Sequence, residues 1–259
     1  MKYNILYFKI RIIAMNTLNS LPNSKPIAII TGAGQGMGRA IALKLARGGY
    51  EVMLVGRTRA KLEQVQAEID RLGCPSHVYP LDVTVGQQVE QMRQELERTA
   101  GQVDVLVNGA GEALIASLED TGEADWDRII TVNLKGPFLM VRALLPLLRK
   151  SPNAMIINIA SKVALSNYHE HVAAYTAAKT GLLGFTRALA AELHKEGIRV
   201  VGLCPGPVDT PMRWAATPDH DPRQVIDAET IADTVMHLVQ LPKGVTMGEI
   251  LIQSINYDL

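Results

Sequence analysis

Between residues 27 and 253, short uninterrupted apolar runs alternate with longer stretches in which apolar positions recur every three or four residues. The runs are IAII (27 to 30), VMLV (52 to 55), VDVLVN (103 to 108), AMIINI (154 to 159), IRVVGL (198 to 203) and EILIQ (249 to 253). A strand half open to water alternates apolar with polar side chains, whereas one covered on both faces is apolar nearly throughout. Most of these runs are of the second kind and predict a buried parallel sheet. Between them, residues 58 to 73 put Leu62, Val65, Ile69 and Leu72 on one helical stripe that stops at Gly73, a residue suited to a helix C-terminus. Thr84 with Gln87 three residues on predicts a capping box that opens another helix, and Gly101 closes it. Strand, helix, strand repetition at this spacing means βαβ crossovers. The expected fold is a single-domain, doubly wound α/β Rossmann architecture of about seven parallel strands with helices on both faces. Its ligands would bind beyond the carboxyl ends of the strands. No repeat, low-complexity tract or linker divides residues 26 to 259, so they are read as one domain.

Composition narrows the functional classes. The chain has 259 residues, 47% apolar and 20% charged, which excludes a disordered or collagen-like protein and a disulfide mini-scaffold. Twenty-six basic side chains balance 26 acidic ones, so no net charge draws it to nucleic acid or to an anionic membrane. Cys74 and Cys204 are far apart and suggest no disulfide framework; a reducing, cytoplasmic compartment is expected. The opening MKYNILYFKIRIIAM is broken by Lys9 and Arg11, too short to span a bilayer, and lacks the apolar core of a signal peptide. No acid precedes Glu51, as in a transit peptide, but the Arg and Ser enrichment of such peptides is missing. Residues 1 to 25 are read as an extension outside the fold, with a functional start at Met15.

The first run ends in Thr31-Gly32-Ala33-Gly34-Gln35-Gly36-Met37-Gly38 and is followed by a helical stretch from Arg39 to Arg47. Four glycines at a strand-to-helix turn let backbone approach a pyrophosphate and aim helix N-terminal amides at it. The literal G-x-G-x-x-G spacing is absent, and no G-K-[ST] ending makes a phosphate-transfer loop. The spacing T-G-x-x-x-G-x-G instead resembles the short-chain dehydrogenase/reductase family. The resemblance runs from Pro26 to Gln253 through Asp82-Val83 after the third strand, Asn108-Gly109-Ala110-Gly111 after the fourth, and Asn133 in VNLKG. It continues through Ser161, Tyr175-x-x-x-Lys179 and Pro205-Gly206-Pro207-Val208-Asp209-Thr210. It implies that Asp82 meets the adenine, that Asn108, Gly109 and Ala110 line the cofactor, and that Thr210 helps hold the carboxamide. Two departures are Gly109, where relatives usually carry a second asparagine, and Cys204, where an asparagine usually precedes Pro-Gly.

An NAD site in such folds normally offers an acid about 20 residues beyond the glycines, for the adenosine ribose. Here that place is Gly56, followed by Arg57 and Thr58, with Arg59 and Lys61 close behind. A guanidinium can pair with a 2′-phosphate that a carboxylate would repel, so NADP(H) is favoured over NAD(H).

Tyr175 and Lys179 are four apart in a helical stretch and share a face, and Ser161 ends a buried strand fourteen residues before Tyr175. In a doubly wound sheet these positions converge on the ligand crevice. Such a trio suits carbonyl reduction, with Ser161 orienting the carbonyl, Tyr175 as general acid and Lys179 favouring the phenolate. Moving a phenol from a pKa of about 10 toward 7 requires about 4 kcal/mol of differential stabilisation. The resemblance adds that Lys179 binds the nicotinamide ribose and that Asn133 anchors a proton relay to it. Met212 and Trp214 fall where the family places a substrate lid. His169-Glu170-His171 has no further ligands at metal-site spacing and is read as a solvent-facing loop, and Cys204 as packing; no metal is expected.

The expected activity is NADPH-dependent reduction of a small ketone or aldehyde. A 3-oxoacyl-acyl carrier protein reductase is the specific alternative, and a catalytically silent NADP-binding sensor or scaffold is the non-enzymatic one. An epimerase or dehydratase of the longer related family fits neither the length nor the glycine spacing. The resemblance also implies a homodimer or homotetramer.

Overall fold

The computed structural model describes residues 25–165 and 170–257. The extension read into residues 1 to 25 therefore falls, but for Lys25, outside the described residues, as does His169. Seven strands form one parallel sheet: β1 (Ile27–Thr31), β2 (Glu51–Gly56), β3 (Ser76–Pro80), β4 (Val105–Asn108), β5 (Met155–Ile159), β6 (Arg199–Pro205) and β7 (Glu249–Ile252). Their order is β3-β2-β1-β4-β5-β6-β7. The winding reverses between β1 and β4, which lie side by side with Thr31 opposite Asn108. At such a reversal the connections leave in opposite directions and open a crevice over the strand ends.

Alternate residues of each strand feed two cores. Ala28, Ile30, Leu54 and Val107 face α1 (Gly36–Arg47), α2 (Arg59–Arg71) and a later helix, Ala228–Gln240. Ile29, Val55, Leu106 and Ile156 face α3 (Gly86–Thr99) and the helices that follow it. Each fully buried Leu or Ile contributes about 1.5–3 kcal/mol, which is why the central runs are apolar on both faces. The edges obey a different rule. In β3, SHVYP is half exposed and carries no continuous apolar run, so periodicity gave it no boundaries. β7 is also an edge, with Leu251 47% exposed, against the expectation of a buried strand.

Two local expectations are corrected. The helix after β3 begins at Gly86 with Val85 as N-cap and no side-chain cap. Thr84 instead donates through Oγ1 to Asp82 Oδ1 at 2.7 Å, a local turn that outcompetes the capping box. Leu72 is 42% exposed, because α2 ends at Arg71 and the chain turns at Gly73 with φ +69°.

A continuous helical rod, Glu123–Leu148, comprises α4 (Glu123–Ile130), one π-helical turn (Thr131–Lys135) and α5 (Gly136–Leu148). By length and composition alone it could cross a membrane. Here Met140, Leu144, Leu147 and Leu148 are buried in the second core. α6 (Ala173–Leu193) packs beside this rod, and α7 (Pro211–Ala216) and α8 (Ala228–Gln240) complete the fold.

Candidate active site

Two adjoining concavities occupy the strand ends. The first is a groove over β1, β2 and β4, bordered by Gly32, Gly34, Gln35, Gly36, Met37 and Gly38, by Gly56, Arg57, Thr58 and Lys61, by Asp82 and Val83, and by Gly109, Ala110 and Gly111. Backbone shapes this groove. Gly32 has φ +72° and Gly36 φ +52°, conformations that L side chains rarely adopt. A Cβ on Gly38 would lie 2.2 Å from Gly32 O, so only glycine lets the first turn of α1 close onto the end of β1. The result is a helix N-terminus exposed to a cleft with no side chain in the way, which fits a dinucleotide pyrophosphate.

Thr31 lies beneath the groove rather than in it. It is buried, and its Oγ1 accepts hydrogen bonds from Gly109 N and Ala110 N, each at 3.0 Å. This pins the turn at Gly109, where a Cβ would come within 2.8 Å of Thr31 O. Asn108 is likewise a layer down, donating to Asn158 Oδ1 at 2.8 Å. Both brace the turns that border the groove. At the far end Lys61 Nζ donates to Gln35 Oε1 at 2.6 Å, and Arg57 pairs with Glu112 at 2.9 Å. Glu112 also pairs with Arg128.

The second concavity is a cavity of about 570 Å³. Ser161, Tyr175, Pro205, Gly206, Val208 and Thr210 line it, and Met37, Thr210 and Met212 border both spaces. Pro205, Gly206 and Val208 thus face the second space, not the groove. Trp214 is not on the wall: its Nε1 donates to Asp209 Oδ1 at 2.7 Å, which ties the indole to the outer side of α7. Of the two lid residues only Met212 is at the site.

Ser161 caps a short 3-10 turn, accepting from Val163 N at 3.4 Å, and its hydroxyl lies near enough to the Tyr175 phenol to act on it. Burial raises the Tyr175 pKa above the ordinary phenol value, opposed by the Ser161 hydroxyl and the positive charge of Arg213. The phenol is therefore a proton donor at neutral pH, and Lys179 is not among the groups that lower it. Lys179 lies one turn on, with Nζ 5.7 Å from the Tyr175 ring centroid and donating to Ile159 O at 2.8 Å. Burial pushes its pKa down to about 8.

Asn133 sits in the π turn and is fully buried. Its Nδ2 donates to Glu112 O at 2.9 Å and Ile129 O at 3.0 Å, while Oδ1 accepts from Glu112 N at 3.3 Å. A side chain on Gly111 would meet Asn133 Oδ1 at 2.7 Å and Lys179 Nζ at 3.5 Å, so that glycine separates the two. Wide turns of this kind re-aim single residues at functional sites. Nothing in the periodicity of VNLKG signals one.

Cys204 is buried, its thiol pushed up to about 11 chiefly by burial, so it is packing and not a nucleophile. Glu170 and His171 are exposed, and among the described residues no cluster of His, Cys, Asp or Glu could hold a metal. Among the residues of the cavity wall that sequence reasoning missed are Lys162, Arg213, His220 and Tyr257. Only tertiary structure gathers them.

Comparison with known proteins agrees with this geometry. Residues 26–221 match the family model described as short chain dehydrogenase. An uncharacterised oxidoreductase of Staphylococcus epidermidis is 34% identical over 229 residues, 88% of this chain and 97% of the relative. An alcohol dehydrogenase from the archaeon Thermococcus sibiricus, solved with 5-hydroxy-NADP, superposes with TM-score 0.84 at 28% identity over 91% of this chain and 99% of that one. A metagenomic short-chain oxidoreductase in complex with NADP gives TM-score 0.78 at 31% identity over 90% and 98%. The chain belongs to the short-chain dehydrogenase family of oxidoreductases.

Proposed function

We propose that the protein interconverts a ketone or aldehyde and the corresponding alcohol with NADP(H). The observation that carries this is the placement of Ser161 and Tyr175 together on the wall of a cavity that opens into the glycine-built groove beside Met37, Thr210 and Met212. The groove fits a dinucleotide because its glycines leave backbone bare where a Cβ would fill it. Two solved neighbours are NADP complexes, and at the ribose end this chain offers Arg57, Thr58 and Lys61 with Gly56 in place of an acid. When bound, the reduced nicotinamide supplies the hydride.

The protein's own groups then handle charge and the proton. Ser161 Oγ donates to the substrate carbonyl oxygen and orients it. Tyr175, protonated at neutral pH, gives its hydroxyl proton to that oxygen as negative charge develops there. Arg213, whose charge already acts to lower the Tyr175 pKa, favours the resulting phenolate. Lys179, one helical turn on, meets the nicotinamide ribose, and Asn133 holds the Gly111–Glu112 backbone in place beside it. In the oxidative direction each proton moves the opposite way.

A panel of ketones and aldehydes, run in parallel with NADPH and NADH, tests this reading. Turnover with NADPH is expected, and Tyr175→Phe should lower kcat by about 10³-fold, within the range for one general acid, while cofactor binding by fluorescence stays normal. Near-normal turnover by the phenylalanine variant would overturn the assignment.

A further inference from the structure

The cavity beside Tyr175 holds hydrogen-bond donors beyond those that a carbonyl oxygen uses. Arg213, on α7, lines the cavity and not the dinucleotide groove. Its Nε is fully buried without a hydrogen-bond partner, and among the described residues its guanidinium makes no ion pair. Of the acids on the neighbouring segments, Asp209 accepts from Trp214 and Asp221 from Arg223 at 2.7 Å, while Asp219 is exposed and makes no ion pair among the described residues. The acid on the cavity wall itself is Glu170, whose side chain is 94% exposed at the rim.

Two further donors share the wall. His220 Nε2 is buried and unpartnered, and burial together with the charge of Arg213 lowers its pKa, so it stays neutral. Lys162 is buried, with Nζ 3.7 Å from the centroid of the Tyr257 ring. The C-terminal segment that presents Tyr257 is clamped in place, Ser254 Oγ donating to Arg223 O at 2.9 Å. The wall is built, not an accidental drift of surface lysines.

The buried Nε of Arg213 has given up water without gaining a hydrogen-bond acceptor, which costs free energy on a charged group. A neutral ketone would leave that cost standing. A carboxylate would remove it, because the planar fork of an arginine receives two carboxylate oxygens in parallel. Resting on the reductase reading, we propose that the substrate is a short oxo acid whose carboxylate is received by Arg213, with His220 as a second donor, while its carbonyl oxygen meets Ser161 and Tyr175. Arg213 is near enough to Tyr175 for its charge to act on the phenol. Arg213 and Tyr175 line one cavity, so a single short molecule can present its carboxylate to the first and its carbonyl to the second, and the arginine offsets the repulsion that the substrate's own charge would exert on a developing phenolate. A 3-oxoacyl thioester carries no charge at that place and would leave Arg213 unpaired.

The test compares acetoacetate with its methyl ester and with an acetoacetyl thioester, using NADPH and the full chain. Wild type should favour the free acid over both esters by at least 30-fold in kcat/KM. Arg213→Gln should bring that ratio near one, mainly through KM for the acid, and Arg213→Lys should recover part of it. Melting temperature and NADPH fluorescence in each variant separate a lost contact from a lost fold. Binding of 3-hydroxybutanoate to the NADP-loaded protein by calorimetry gives a readout without turnover, and Arg213→Gln should weaken it at least 10-fold. If no carbonyl is reduced but the hydroxy acid binds through Arg213, the reductase reading fails and the anion site stands. Equal use of acid and ester by wild type, preference for the thioester, or hydroxy-acid binding indifferent to Arg213 would each overturn the proposal.

Discussion

The dinucleotide groove and the cavity beside it share Met37, Thr210 and Met212, yet they are made of different material. The groove is main chain: glycines at positive φ, a bare helix N-terminus and a threonine-pinned turn. The cavity is largely side chain, collected from distant parts of the sequence that include Met37, Ile115, Ser161, Tyr175, Arg213 and Tyr257. A backbone-built site accepts one ligand shape and tolerates no added atoms. A side-chain-built site can change its ligand by single substitutions, which is how one family carries many substrates on one cofactor.

The sharpest way to break this contrast is Gly38→Ala. The new methyl would sit 2.2 Å from Gly32 O, a backbone atom that cannot step aside, so α1 must lift off β1. The expected loss is at least 100-fold in NADP(H) affinity by fluorescence titration and about 2 kcal/mol or more in urea stability, as for overpacking elsewhere. An unchanged dissociation constant and midpoint would show that the groove is not held by its backbone.

The same contrast explains what was legible in the chain. Gly32, Gly36 and Gly38 could be read because a backbone requirement leaves a residue type at a fixed offset. Tyr175 and Lys179 could be read because helical spacing fixes their relation, and the central strands because burial on both faces leaves unbroken apolar runs. The edge strand β3 escaped, since half-exposed pairing leaves no such run. The setting of Asn133 escaped because a π turn changes the register of one residue without changing composition. Arg213 stood unremarked between Met212 and Trp214, since which of three successive residues on a short helix faces a cavity depends on what packs around it.

Lys179 stands near the junction of the two regions, and its burial can be measured apart from catalysis. An unfolded lysine keeps its proton to about pH 10.4, whereas folded Lys179 releases it near 8. Between those values the unfolded chain binds more protons, so raising the pH through this window favours the folded state. Relative to Lys179→Met, wild type should gain up to about 3 kcal/mol between pH 8 and 10.5, read from urea midpoints of both proteins in the same buffers. A parallel pH dependence in the two proteins would mean that the ammonium is not desolvated.

The smallest expected effect lies where the backbone groove meets its one side-chain-dependent end. Arg57 is paired with Glu112 at 2.9 Å, and its side chain is 63% exposed. Such a pair contributes about 0–1 kcal/mol, less than a charge-assisted bond to a phosphate, so a 2′-phosphate can displace the glutamate. Glu112 then remains held by Arg128 and by the Asn133 contacts to its backbone. Arg57→Ala should therefore weaken NADPH binding about 10-fold and leave NADH nearly unchanged, and added salt should shrink the difference. Glu112→Gln removes the competitor and should tighten NADPH by about 2- to 3-fold, in proportion to the weak pair that is lost. If Glu112→Gln instead weakens NADPH as much as Arg57→Ala does, the glutamate positions the arginine for the phosphate rather than competing for it, and this end of the groove is as much a side-chain construction as the cavity.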